Sequence, residues 1–290
     1  MRVGLHALGI GAGALPEVIR TVAVEAEAAG FATLWSGEHV VLVDRPASRY
    51  PYSADGRIAV PADADWLDPL LGLSFAAAVT STIGLATGVL LLPEHNPVLA
   101  AKQTATLDVL SGGRLTLGVG IGWSAEEFSA LGVPFAGRGR RTAEYVAAMR
   151  ALWADDVASF RGEFTRFESV RVNPKPLRGR RIPVVLGGNS DAALRRVAAF
   201  GDGWYGFNLT AGEATERVGT LAGYCQDLGR RAEDLAVSVA LSDATQAQFA
   251  GLAEAGVTEV VIVGTPPADR AAAASWVREL GACWGTTPRA

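Results

Sequence analysis

Eight short runs dense in Val, Ile and Leu recur along the chain, separated by stretches with helical spacing. They begin at Arg2 (RVGLHAL), Ala32 (ATLWSGE), Ile83 (IGLATGV), Arg114 (RLTLGVG), Ile182 (IPVVLGG), Gly203 (GWYGFNL), Ala236 (AVSVALS) and Glu259 (EVVIVGT). None alternates cleanly between apolar and polar residues, which marks strands buried on both faces of a parallel sheet. Eight strands, each followed by a helix, is the count of a (β/α)8 TIM barrel. The competing arrangement is a doubly wound open sheet.

Helical segments carry start and stop signals. The first opens near Pro16, places Val18, Ile19, Val22 and Ala26 on one face and closes at Gly30. Another carries Tyr145, Met149, Leu152 and Trp153 at spacings of three and four, and a last helix spans about 268–283. With 290 residues the chain fits one barrel domain over 1–290. Two segments exceed simple connections. Residues 39–66 hold Arg45, Arg49, Tyr50, Tyr52, Arg57 and Trp66, a composition suited to an active-site lid at the C-terminal rim. Residues 154–181 contain SFRGEFTRF, which predicts a hairpin turning at Gly162.

Composition removes several classes of function. Apolar residues make up 49% of the chain and charged ones 19%, which excludes disorder. A net charge of −4 offers no basic surface for nucleic acid or an anionic membrane. The two cysteines, Cys225 and Cys283, form no CxxC, so neither a disulfide framework nor a structural zinc site is expected. No signal peptide and no uninterrupted apolar stretch of about 18 residues is present, so the expected protein is soluble and cytoplasmic.

The chemistry-bearing residues gather at strand exits. The fourth run ends in GVGIG, but the third glycine of a dinucleotide fingerprint would fall at Trp123, and no acid-tipped strand follows about twenty residues on. What remains is that Gly120 and Gly122 would let backbone N–H groups approach a ligand, beside a helix start at SAEEF. The fifth run ends in Gly187 and Gly188, followed by Asn189 and Ser190, either of which can cap the next helix while its free N–H groups face an anion. A phosphate site is expected at one or both exits. Thr87 and Gly88 interrupt the third run, which suggests a bulge. His39, beside Glu38 beyond the second run, suits proton transfer or fixing of the loop. His6 suits either packing or a cavity wall, and His95 is expected to be exposed. Glu126 and Glu127 sit in a first helical turn, where acids favour the dipole. Trp123 fits a pocket wall or the core. No Ser-His-Asp order, HExxH, Walker loop or metal cluster emerges, and an enzyme without its own nucleophile or metal borrows a cofactor.

Taken together, LWSGEHVV, IGLATGVLLLPEHNPVLAAKQTATLDVLSGGRLTLGVGIGW, NPKP and IPVVLGGNSDAALRRVAAFGDGWY resemble the bacterial luciferase-like monooxygenase superfamily. More narrowly, they are similar to its deazaflavin-dependent oxidoreductases. The resemblance implies a TIM barrel with coenzyme F420, or alternatively FMN, across its C-terminal rim. It implies a strand-three bulge, often with a non-proline cis peptide, at Gly88 and Val89 behind the ring, and Glu38 and His39 near the reactive carbon. It also implies that Gly120, Gly122, Trp123, Gly187, Gly188 and Asn189 hold the ring edge, ribityl chain and phosphate. Some deazaflavin dehydrogenases carry a catalytic glutamate where Trp123 stands, which argues against sugar-phosphate oxidation, and relatives commonly carry arginine in place of His95. The implied activity is hydride transfer to or from a small organic substrate. The alternatives are an FMN monooxygenase fed by a reductase partner, a non-catalytic flavin-binding protein, and a cofactor-free barrel hydrolase or isomerase. A homodimer through barrel helices is the implied assembly.

Overall fold

The computed structural model describes residues 1–287; residues 288–290, the end of the expected domain, lie outside the described residues. Ten strands are present: β1 (Arg2–Leu8), β2 (Thr33–Ser36), β3 (Gly84–Thr87), β4 (Leu115–Val119), β5 (Ala158–Arg161), β6 (Arg166–Val170), β7 (Val184–Gly187), β8 (Gly203–Leu209), β9 (Ala236–Leu241) and β10 (Glu259–Val263). The helices are α1 (Pro16–Ala28), α2 (Pro69–Ala77), α3 (Pro97–Leu110), α4 (Ala125–Ala130), α5 (Arg138–Ala154), α6 (Asp191–Phe200), α7 (Ala211–Asp227), α8 (Phe249–Glu254) and α9 (Arg270–Cys283).

Eight strands close a parallel barrel in the order β1-β10-β9-β8-β7-β4-β3-β2, with Val3 opposite Val260 where the ring shuts. All eight expected strands are in it, and the open sheet is excluded. Several stop short of their expected C-terminal ends because the last residues leave the ladder to build the rim. Gly88, for example, lies past β3 yet still donates its N–H to Ser36 O at 2.7 Å. The remaining pair, β5 and β6, forms the expected antiparallel hairpin. Glu144 of α5 pins its turn by accepting the N–H groups of Glu163, Phe164 and Thr165.

Barrel strands that face two apolar layers must bury both sides, and they do. The outward side chains of β1, β2 and β3, with Val18, Ile19, Val22 and Ala26 of α1 and Leu73 of α2, join one continuous core. The interior is a second, smaller cluster: Trp35, Ala86, Val185, Tyr205, Ala240 and Val261. Trp35 and Tyr205 stack with centroids 4.5 Å apart, and the alanines supply the room that two large rings require. Above them, the Tyr205 hydroxyl and His6 Nδ1 lie 2.9 Å apart. Burial pushes the His6 pKa down to about 4, so the imidazole is neutral at pH 7.

This stack is the floor on which the mouth rests. Trp35→Ala should therefore lower unfolding free energy by about 3–5 kcal/mol, read as a lower urea midpoint at an unchanged slope. A loss below about 1 kcal/mol would mean that the interior collapses without cost.

Candidate active site

At the C-terminal rim β3 breaks into a bulge whose Gly88–Val89 peptide is cis. Thr87, fully buried at the end of β3, donates its hydroxyl to Gly118 O at 2.7 Å, tying the bulge to β4. The chain then rejoins β4, where Leu90 donates to Gly118 O and Gly120 donates back to Leu90 O, both at 2.8 Å. The Val89 isopropyl group lodges between the exits of β4 and β7. A Cβ on Gly187 would stand 2.9 Å from Val89 Cγ1, and one on Gly120 would collide with Val89 Cγ2. The two glycines are thus needed by the bulge itself. One expectation is corrected here: the Gly120 N–H is not open to a ligand, because it closes the Leu90 loop. Gly122, with φ of 75°, packs against Phe128 and Glu94.

The second glycine exit is equally well tied down. Trp204 Nε1 donates to Gly188 O at 2.9 Å. Asn189 clamps β8 through its side chain, donating to Phe207 O at 2.7 Å and accepting the Phe207 N–H at 3.2 Å. Ser190 is the N-cap of α6, accepting the Ala193 N–H at 3.3 Å. The remaining first-turn N–H groups give that end its positive character.

Two arginines missed in the sequence stand close to one another, one on α5 and one on α6. Arg138, at the start of α5, donates Nε to Gly122 O at 3.1 Å and lies over the Phe135 ring. Arg196 of α6 is half-buried, with its guanidinium 3.4 Å from where a Cβ of Gly139 would be. Burial, then the charge of Arg138, hold its pKa below the usual arginine value. Among the described residues no carboxylate pairs with either of them. The only hint in the sequence was the basic run GRGRR, and nothing in it tells that the Arg196 side chain reaches Gly139.

Glu38 and His39 adjoin in sequence but do not pair with each other. Glu38, buried, accepts the Leu91 N–H at 2.5 Å and faces His95 Nε2 at 2.9 Å. His95 is therefore not exposed as expected: it turns inward to this carboxylate. Burial lowers its pKa, but the hydrogen bond and charge of Glu38 outweigh that and raise it overall. His39 Nδ1 lies 2.8 Å from Glu127 Oε2, and Trp123 Nε1 donates to His39 Nε2 at 3.3 Å. Because an indole only donates, Nε2 is the acceptor and Nδ1 carries the proton toward Glu127. Glu127 is fully buried, so its part is this pairing as well as the expected first-turn position. Trp123 lies on the wall rather than in the core.

The segment 39–66 is held down at both ends. Glu127 accepts the N–H of Val40 at 2.7 Å, and Trp66 Nε1 donates to Gly37 O at 3.0 Å. Tyr50 meets Trp123 edge-on at 5.3 Å and Tyr52 meets Phe207 at 5.4 Å, so the two tyrosines lie across the mouth. The loop curls around a cavity of about 620 Å³ that is closed on one side by Trp123, Ser124 and Glu127. Glu126 is the outer latch, accepting the N–H groups of Ala47 at 2.7 Å and Ser48 at 3.0 Å. The Ser48 hydroxyl and these N–H groups pull the Glu126 pKa down to about 2.

A model of the luciferase-like monooxygenase family matches residues 4–277. The uncharacterized protein Rv0953c of Mycobacterium tuberculosis is 36% identical over 258 residues, covering 89% of this chain and 90% of that protein. An FMNH(2)-dependent dimethylsulfone monooxygenase of Pseudomonas fluorescens is 38% identical over 144 residues, covering 49% of this chain but 38% of that enzyme. Among solved structures, an F420-dependent secondary alcohol dehydrogenase in complex with an F420-acetone adduct superposes with a TM-score of 0.74 at 15% identity, covering 100% of both chains. No helix among the described residues is long and apolar enough to cross a membrane.

If Glu126 latches the loop, Glu126→Ala should speed tryptic cleavage after Arg49 and Arg57 several-fold while leaving the thermal midpoint nearly unchanged. Equal cleavage rates would show that the aromatic contacts alone hold the loop.

Proposed function

The chain belongs to the luciferase-like monooxygenase family, and from that membership we propose that it is a coenzyme F420-dependent oxidoreductase acting on a small organic substrate. The supporting observation is a histidine whose Nδ1 meets a buried carboxylate and whose Nε2 accepts from an indole, next to a rim that suits a phosphorylated planar cofactor. The fit is chemical. Arg138 and Arg196 are half-buried neighbouring cations without carboxylate partners among the described residues, and this donor set matches a phosphate. Gly88 and Val89 would back the ring, with Trp123 at its edge. Tyr50 and Tyr52 lie over the same mouth, so the loop must move for a ring to enter. When bound, the deazaflavin would accept or donate the hydride, supplying the reactive atom that the chain lacks.

The chain's own residues supply orientation and proton handling. Exchange between an alcohol and a carbonyl needs a proton to leave or reach the substrate oxygen. His39 Nε2 has a lone pair for that proton, and Glu127 on Nδ1 would stabilise the imidazolium that results. Glu38 with His95 fixes the turn after β2, from which His39 projects. The closed loop, with Tyr50 against Trp123, would exclude water.

A second possibility is an FMN monooxygenase supplied by a reductase partner, favoured by the likeness of half the chain to the dimethylsulfone enzyme. Fluorescence titration decides between them. F420 should bind at least about tenfold more tightly than FMN, and Arg196→Ala should weaken binding about 10–100-fold, or ~1.4–2.7 kcal/mol. His39→Gln should keep binding and lower turnover about 10²–10⁴-fold. Absence of F420 binding overturns the proposal, and incorporation of label from ¹⁸O2 into product would establish the alternative.

A homodimer is part of the same proposal, in the cytoplasm. α2 carries no charged residue and its Leu71 is 71% exposed, while Leu99 and Leu110 at the two ends of the adjoining α3 are 56% and 66% exposed. Helices apolar all round are normally covered. Leu71→Asp should convert a dimer to a monomer in sedimentation velocity; a wild-type monomer would refute the pairing.

A further inference from the structure

We propose that Glu94 is a positioning residue of this site: a buried carboxylic acid packed against Gly122, which holds the turn that sets Trp123 on His39. Glu94 ends the single 3-10 turn that follows the bulge, Leu92–Glu94. It is 9% exposed, and both carboxyl oxygens are buried without a hydrogen-bond partner. Its Oε1 lies beside Gly122, 3.0 Å from where a Cβ of that residue would stand, next to the Phe128 ring.

The charges felt by Glu94 come from two other elements, Glu127 of α4 and Glu38 at the exit of β2. Those two carboxylates are in turn the partners of His39 and His95, and Arg138 of α5 is bound to the carbonyl of the same Gly122. An ionised carboxylate there would have no donor and two like charges close by, so the proton stays on. Burial foremost, then Glu127 and Glu38, push the Glu94 pKa up to about 9.

The consequence falls on Trp123. Glu94 packs against Gly122, the residue before Trp123, so repulsion of an ionised Glu94 by Glu38 and Glu127 would displace that turn and with it the indole that donates to His39 Nε2. A proton held on Glu94 therefore keeps the indole on this nitrogen. This inference depends on the redox proposal only for its purpose, and both readouts below use purified protein without substrate. Loss of F420 binding would therefore leave it standing, and its own failure would leave the F420 proposal standing.

Between the ordinary glutamate range and pH 9, the folded chain holds a proton on Glu94 that the unfolded chain has lost. Stability contributed by that proton is complete at acid pH and declines as pH rises through the folded value. Glutamine has the same shape and no such proton. The melting temperature of Glu94→Gln relative to wild type should therefore climb by at least about 3 °C between pH 5 and pH 9. The Trp123 component of fluorescence, defined by difference from Trp123→Phe, should change above pH 9 in wild type and stay flat in Glu94→Gln. Parallel melting curves, or fluorescence titrations that coincide, overturn the proposal. Should Glu94→Gln fail to fold, infrared spectra of wild type decide. A protonated carboxyl band that disappears with a midpoint near pH 9 supports the assignment, and its absence at neutral pH refutes it.

Discussion

The contact on which the mouth depends is Val89 lodged between Gly120 and Gly187. It joins three neighbouring strand exits through one side chain. The hydrogen bonds through Gly118, Leu90 and Gly120 lock that side chain at a fixed height above the Trp35–Tyr205 stack. A methyl on either glycine would lift Val89, and everything placed by the β3–β4 rim would move with it. Glu94 and His95 follow the bulge by five and six residues, and Trp123 follows Gly120 by three. Close packing converts two absent side chains into the placement of an acid, a histidine and an indole.

Charge at the rim is arranged by the same economy of elements. Each imidazole is met by a carboxylate from a distant part of the chain, His39 by Glu127 and His95 by Glu38, with the side chains almost entirely enclosed. Buried pairs of this kind are costly unless their remaining valences are filled. Here the backbone fills them: Val40 and Val41 donate to Glu127, and Leu91 donates to Glu38. The arrangement therefore orders the loop start and the bulge exit as well as the imidazoles, which explains why acids, rather than neutral acceptors, occupy both positions.

The barrel was legible because buried parallel strands announce themselves by uninterrupted Val, Ile and Leu, and all eight were readable from that signal alone. The bulge was legible too, since Thr87 and Gly88 break such a run. Pairings at the rim were less so. Sequence adjacency joined Glu38 to His39, but successive residues leaving a strand point to opposite sides, so neighbours in the chain face different partners. His95, in a polar loop sequence, carried no sign of burial, because that depends on Glu38 arriving from another strand exit. Arg138 and Arg196 were opaque for a similar reason. Each is unremarkable on its own helix, and only the approach of the Arg196 guanidinium to Gly139 at the start of α5 brings two unpaired cations together. Glycines at exits suggested bare main chain awaiting a ligand, whereas Val89 turned out to be what they accommodate.

Under the proposed function, the departure at Trp123 from the pattern expected of related dehydrogenases would preserve the chemistry. Where some of those enzymes are expected to carry an acid, this chain has an indole that donates to His39 and gives Tyr50 an edge to pack against. The carboxylate has not been lost; it arrives from the first turn of α4 as Glu127 and meets the other nitrogen of the same imidazole. An acid on the Nε2 side would compete with substrate for that nitrogen, while an acid on the Nδ1 side holds the ring and leaves Nε2 guarded only by a long N–H···N contact of 3.3 Å. A bond of that length is weak, and under the proposed function a substrate hydroxyl would replace it. Trp123 is itself in contact with the loop through Tyr50. On that proposal, opening of the loop would free His39 Nε2 as well, and Trp123 would couple access to the site with the exposure of that nitrogen.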